Sequence, residues 1–288
     1  ASRRFGVAIS YRDEAEAVAR AEAARKTEVA LAIRNRMAFY RGAAVPESLA
    51  GNLRRAFYKA VSVQKVNIES PQADIPCHWT TPDRMPHRSL WLWDSAFHAL
   101  GLQHLSVRAA RDAIRAVFAK QRPDGQVRLA VQPGGDAPQP DNETQPPVLA
   151  WSVCQQSQRL MQLEFLRDVY PNLVRYLDWY EAHRRQPNGL YGWRIRTGDD
   201  PVRGARGGES GMDNSPRFDS LERITAVDLS SYLASEYFAM ERIARCLERP
   251  GDVSEWRQRR LQIADRVNEL LWDDETRFYY DLDEAGEF

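Results

Sequence analysis

Three long loops, each rich in proline, glycine or aromatic residues and each leading into an apolar helix, constrain this chain more than any single motif. The first spans residues 67–90 and carries His78, Trp79 and His87. The second spans residues 132–145, and the third, residues 190–223, contains Gly207, Gly208 and Gly211. Structureless segments of this length inside a compact domain are usually functional or disordered, and the aromatic content argues against disorder. A short turn usually follows each helix before the next begins. Long loop, helix, short turn, helix suits a toroid of helical hairpins, which presents all its long loops at one end. No fixed repeat period is present, which disfavours a simple solenoid array.

The helical pattern is read as follows. One long helix covers residues 11–40, with Glu16/Arg20 and Glu22/Lys26 at i,i+4 spacing. A second covers 46–66, with Leu49, Leu53, Phe57 and Val61 on one side. Residues 96–105 and 107–121 follow, with Asp94 or Ser95 as N-cap of the former. Pro146-Pro147 starts a helix bearing Val148, Leu149, Trp151 and Val153, and the pattern continues over 163–169. Pro171 starts another, which Pro187-Asn188-Gly189 stops. Residues 225–247 and 254–272, the latter with Ser254 as N-cap, complete the set. A strand-like piece covers 278–282. The class is all-α, with about eight helices and hardly any strand, and residues 1–288 read as one domain.

Composition narrows the partners. Lys+Arg 40 and Asp+Glu 40 cancel, so no overall field favours nucleic acid or an anionic membrane. No apolar run approaches the roughly 18 residues of a membrane span, and no signal-peptide core is present, so a cytoplasmic protein is expected. Cys77, Cys154 and Cys246 lie far apart, which predicts three reduced, mostly buried thiols. The five histidines lack metal-ligand spacing, and there is no phosphate or dinucleotide fingerprint, so neither metal nor cofactor is expected. Trp 8 and Tyr 11 supply flat apolar faces with polar handles, which sugar sites need.

Individually the loop residues are ambiguous. Asp213 is either a turn residue or a ligand-facing acid. Asp94 is explained by capping, and Gln145 by satisfying backbone groups. Trp91 and Trp93 cannot face the same way in an extended segment, so one lines a pocket while the other packs. Asp141 and Glu143 read as solvated loop charges.

Taken together and in order, Trp91-Leu92-Trp93-Asp94-Ser95, Thr144-Gln145-Pro146-Pro147 and Ser210-Gly211-Met212-Asp213-Asn214-Ser215-Pro216 resemble glycoside hydrolase family 63. The chain is also similar to the trehalases of that clan, and the resemblance runs from Trp79 to Tyr280. It implies an (α/α)6 toroid and an inverting hydrolase of α-linked glucosides or related sugars. Members include N-glycan processing glucosidases and bacterial enzymes that cleave α-glucosyl- or α-mannosyl-glycerate. Carried over by motif, Asp213 is the general acid and Asp94 holds sugar hydroxyls. Trp91 and Trp93 form an aromatic wall and Gln145 binds substrate; Trp151, at the start of the following helix, joins the substrate-binding set. An acid in this role holds its proton near neutrality, which calls for burial or a neighbouring carboxylate.

The family's general base is a Glu in the last helices of the toroid. This chain reaches about eight of twelve helices, so the resemblance places the base outside it. Glu209 is the carboxylate nearest to Asp213 in sequence, without family support for that role. The expected partner is a small saccharide or sugar-glycerate. Uncovered inner faces would favour a homo-oligomer or a completing chain. A non-catalytic toroid fragment that binds sugar or a partner protein is the competing reading.

Overall fold

The computed structural model describes residues 5–8, 10, 13–43, 45–135, 143–160, 163–195, 207–213, 215–219 and 223–287. Among these, the helices are α1 (Glu14–Lys26), α2 (Val29–Arg41), α3 (Gly51–Val66), α4 (Leu92–Leu102), α5 (Val107–Ala119), α6 (Leu149–Leu160), α7 (Leu163–His183), α8 (Val227–Cys246) and α9 (Pro250–Leu270). Strands are two-residue pieces paired antiparallel: β1 (Ile68–Glu69) with β2 (Trp79–Thr80), β3 (Leu90–Trp91) with β4 (Ala130–Val131), and β5 (Trp272–Asp273) with β6 (Phe278–Tyr279). The architecture is all-α and toroid-like.

Helix α4 packs on α6 and α6 on α8, while α5 packs on α4, α7 on α6 and α8, and α9 on α8. In α5, Ala110, Ala113, Ile114 and Val117 recur at helical spacing on the buried side, and Ser106 Oγ accepts from the Ala109 amide at 3.3 Å to close its N-terminus. Tyr176, Tyr180, Tyr237, Phe165 and Leu149 are among the largest fully buried side chains. Phe165 and Leu149 each contribute about 1.5–3 kcal/mol by leaving water. The N-termini of α4, α6 and α8 receive the three long loops, so all three loops meet at one end, as the alternation requires.

Several boundaries differ from the sequence pattern. The helix expected over 11–40 breaks at Thr27-Glu28 into α1 and α2, neither of which has a buried residue to hold one continuous rod. Pro171 lies inside α7 rather than starting a helix. The buried Phe165, Leu166, Tyr170, Leu173 and Leu177 around it keep the helix together although one amide is missing. Pro146-Pro147 precede α6 rather than opening it. Ser254 is interior to α9, which begins at Pro250, and its hydroxyl donates to the Pro250 carbonyl at 3.2 Å. Cys246 is exposed, whereas Cys154 is buried.

The N-terminus of α6 has no local cap, because prolines and Val148 precede it. Glu236 of α8 supplies one: its Oε2 accepts from the Ala150 amide at 2.8 Å and its Oε1 from the Trp151 amide at 2.7 Å. An anion suits that end of the helix dipole. Glu236 is fully buried, and desolvation pushes its carboxyl up to about 7 against the pull of these amides.

Candidate active site

Where the loops meet, they enclose a cavity of about 300 Å³. The first loop and the start of α4 give Pro82, His87, Trp91, Trp93 and Asp94; the second loop gives Glu143 and Gln145, with Leu129 from just before β4; the third gives Gly208, Gly211 and Asp213. Five of the residues singled out from sequence, Trp91, Trp93, Asp94, Gln145 and Asp213, are therefore together. Trp151 does not line this cavity: it is half-buried on α6, its ring 6.2 Å from that of Phe97, which in turn lies 5.9 Å from Trp93.

Both tryptophans of the first motif face the cavity, against the expectation that one would pack. The segment is not extended throughout: β3 ends at Trp91 and α4 begins at Leu92, which takes the core position. Trp91 is fixed by its Nε1, which donates to the His87 carbonyl at 3.0 Å. Trp93 is fixed from above by Gly211, whose φ of 74° favours glycine and where a Cβ would overlap the indole ring. Gly211→Ala is accordingly expected to cost about 1–3 kcal/mol and to displace Trp93, checked by chemical denaturation and by the shift of tryptophan emission. Unchanged emission with unchanged stability would contradict the packing.

Asp94 is the third residue of α4 rather than its cap, an acidic first-turn position that the helix dipole favours. Burial pushes its carboxyl above the ordinary range, with His87 pulling the other way. Gln145 Oε1 accepts from the Trp93 amide at 3.1 Å, and its carbonyl accepts from Tyr180 Oη at 2.6 Å. The donor at Trp93 fixes the amide orientation, so Gln145 both satisfies the start of α4 and turns Nε2 away from that bond.

Asp213 lies exposed at the rim rather than in the buried surroundings expected for it. Two further carboxylates, Asp94 and Glu143, line the same cavity. Glu143, read as a solvated loop charge, is 5% exposed. Its carbonyl accepts from the Leu129 amide at 3.1 Å and from Gln126 Nε2 at 3.3 Å, which seats it against the segment that precedes β4. Asp141 and Asn214 lie outside the described residues. His87 was not singled out for the site; its Nδ1 lies 2.9 Å from Asp83 Oδ2. Nothing in local sequence periodicity marks His87 or Glu143, because both owe their place to loop convergence.

Three residues near Asp213 lie outside the cavity lining. Glu209 is buried and pairs with Arg184, which removes it from contention as a base. Arg217 engages Asp228 and Asp281, and Phe218 packs under Gly207, where a Cβ would overlap its ring. No cluster of three or more His, Cys, Asp or Glu that could hold a metal occurs among the described residues. No helix among them is long and apolar enough to cross a membrane.

A helical toroid whose long loops bring tryptophans, carboxylates and an amide to one cavity places the chain among the toroid-fold glycoside hydrolases. More closely, residues 86–288 match the Mannosylglycerate hydrolase MGH1-like glycoside hydrolase domain, and the chain belongs to that family. It is similar to a mannosylglycerate hydrolase of Thermus thermophilus, 31% identical over 196 residues, covering 60% of this chain and 43% of the relative. It is also similar to a glucosylglycerate hydrolase of Mycolicibacterium hassiacum, 27% identical, covering 68% of this chain and 48% of that protein. The crystal structure of a Thermus thermophilus family 63 mannosylglycerate hydrolase in complex with glucose superimposes with a TM-score of 0.62 at 26% identity, over 80% of this chain and 67% of that one. The chain thus spans less than half the length of these two curated relatives.

Proposed function

We propose that this chain carries the acid side of the active site of an inverting α-glycosidase acting on α-linked glucosides or sugar-glycerates. One observation carries the reading: Trp93 and Asp94 at the start of α4, and Gln145 and Asp213 from two loops far apart in sequence, line one cavity. The sugar ring stacks on Trp91 and Trp93, while Asp94 and the Gln145 amide hold its hydroxyls. Asp213 protonates the departing glycosidic oxygen as the bond to the anomeric carbon breaks. A carboxylate outside this chain, about 6.5–9.5 Å from the acid, takes the proton of the attacking water. The exposed rim position of Asp213 is what a complete site would have to change, since substrate or further chain must exclude water there to keep the acid protonated.

The test is calorimetric titration of the 288-residue chain with α-mannosylglycerate and α-glucosylglycerate, with product measured in parallel. Binding that Trp93→Ala abolishes, with no turnover, is the expected result. Absence of binding would remove the sugar-site reading. Turnover that Asp213→Asn abolishes would put the base within this chain, with Glu143 and Asp94 as the cavity carboxylates to substitute next. Persistent binding without turnover when the rest of a relative's toroid is supplied would favour a non-catalytic sugar-binding role.

A further inference from the structure

Glu209 does not line the cavity, yet it touches the segments that do. Its side chain is completely buried, and its two oxygens accept four hydrogen bonds. Oε1 accepts from the Thr144 amide at 3.0 Å and from Arg184 Nη2; Oε2 accepts from Arg184 Nε at 3.1 Å and from the Arg194 amide at 3.0 Å. These donors belong to three separate pieces of chain: the stretch that bears Gln145, the end of α7, and the segment 190–195 that leads into the third loop. Glu209 itself sits in the short 3-10 turn Gly208–Ser210, which runs directly into Gly211 and Asp213. Only an ionised carboxylate has two oxygens that can each take two donors.

We propose that Glu209 is the positioning residue of this site. Through Thr144 on one side and the Gly208–Ser210 turn on the other, it sets the spacing between Gln145 and Asp213. The group that grips the sugar and the group that protonates it are then held in register by one buried anion, with Arg184 balancing its charge. The inference rests on the sugar-site reading above for its functional meaning, while the mechanical coupling of the two loops stands on the hydrogen bonds alone. Glu209 ties the second loop, the end of α7 and the segment 190–195 together, and its four hydrogen bonds leave α8 and α9 to their own packing.

The test is hydrogen exchange by mass spectrometry on the 288-residue chain, comparing wild type, Glu209→Gln and Glu209→Asp, alongside a glucose titration. Peptides covering 143–148 and 207–213 report the coupling, and α8 and α9 serve as internal controls. In Glu209→Gln both loop peptides should exchange at least tenfold faster with the controls unchanged, and glucose should bind at least tenfold more weakly. Glu209→Asp, which keeps the charge on a shorter arm, should recover part of both. Uniform acceleration through α8 and α9, or no change in 207–213, would overturn the proposal. Should Glu209→Gln fail to fold, Arg184→Lys, which keeps the charge but loses the fork, must loosen the same two peptides together; separate or absent loosening would equally overturn it. A wild-type chain that binds no glucose sinks the sugar-site reading, and the exchange contrast still decides whether Glu209 couples the loops.

Discussion

Replacing Arg217 with methionine is expected to lower the stability of the chain by about 3 kcal/mol, although the residue reaches neither the cavity nor the centre of the core. Its guanidinium makes two forks: to Asp228 at 2.6 and 2.9 Å, and to Asp281 at 2.6 and 2.7 Å. With a 3.5 Å contact to Met212 Sδ, all five N–H donors are engaged. Arg217 is 16% exposed and its partners 26% and 20%, so the charges are largely desolvated. Asp228 also accepts from Trp193 Nε1, and Asp281 from the Val227 amide that opens α8. Removing the cation leaves two carboxylates facing each other with no counter-charge, at the joint between the Asp213 loop, the start of α8 and the segment after β6. The discriminating variant is the double one. Asn at 281 keeps an acceptor for the Val227 amide but no charge, so Arg217→Met with Asp281→Asn should be about 1 kcal/mol more stable than Arg217→Met alone. Urea denaturation measures both, and strictly additive losses would show that the three groups are not coupled.

The parts of this arrangement legible in the sequence were those carried by local pattern. Apolar residues at helical spacing located α5, α7 and α8, and the order of long loop, helix and short turn implied that the loops share one end. The three motifs named most of the cavity. What local pattern could not show is which charges go inside. Glu143, Glu209 and Glu236 look alike in sequence, each an acid beside polar or apolar neighbours. Glu209 is buried because Thr144, Arg184 and Arg194 bring donors to it from as far as 65 residues away. Glu236 lies within the apolar run of α8 and is buried because α6 lacks a cap of its own. The break at Thr27-Glu28 and the continuity of α7 through Pro171 have the same origin: packing, absent in the first case and abundant in the second, overrode the local signal.

Between pH 4.5 and 6.5 the stability profile of the chain should tilt in opposite directions, relative to wild type, in two single variants. Glu236 is the first of the two groups. Burial raises its carboxyl from 4.5 to about 7, so across this window the folded chain keeps a proton that the unfolded chain releases. Stability from Glu236 is full below pH 4.5 and is lost as pH rises towards 7, by about 3 kcal/mol. His98 on α4 works the other way. Its Nδ1 is buried without a hydrogen-bond partner, and burial lowers its titration from 6.5 to about 4. The unfolded chain therefore gains a proton that the folded chain refuses, and stability is full above pH 6.5 and lost as pH falls towards 4, by at most about 3 kcal/mol. The two slopes oppose each other over the same interval. Glu236→Gln removes the first, so its stability relative to wild type should rise with pH from 4.5 to 6.5; His98→Gln removes the second, so its stability relative to wild type should fall. The double variant should run parallel to wild type, whatever constant cost each substitution adds through the α6 cap or the α4 packing. Urea midpoints at pH 4.5, 5.5 and 6.5 for the four proteins read the slopes directly. Four parallel lines would mean that neither group titrates differently in the folded chain, and that the carboxylate capping α6 is either solvated or ionised throughout.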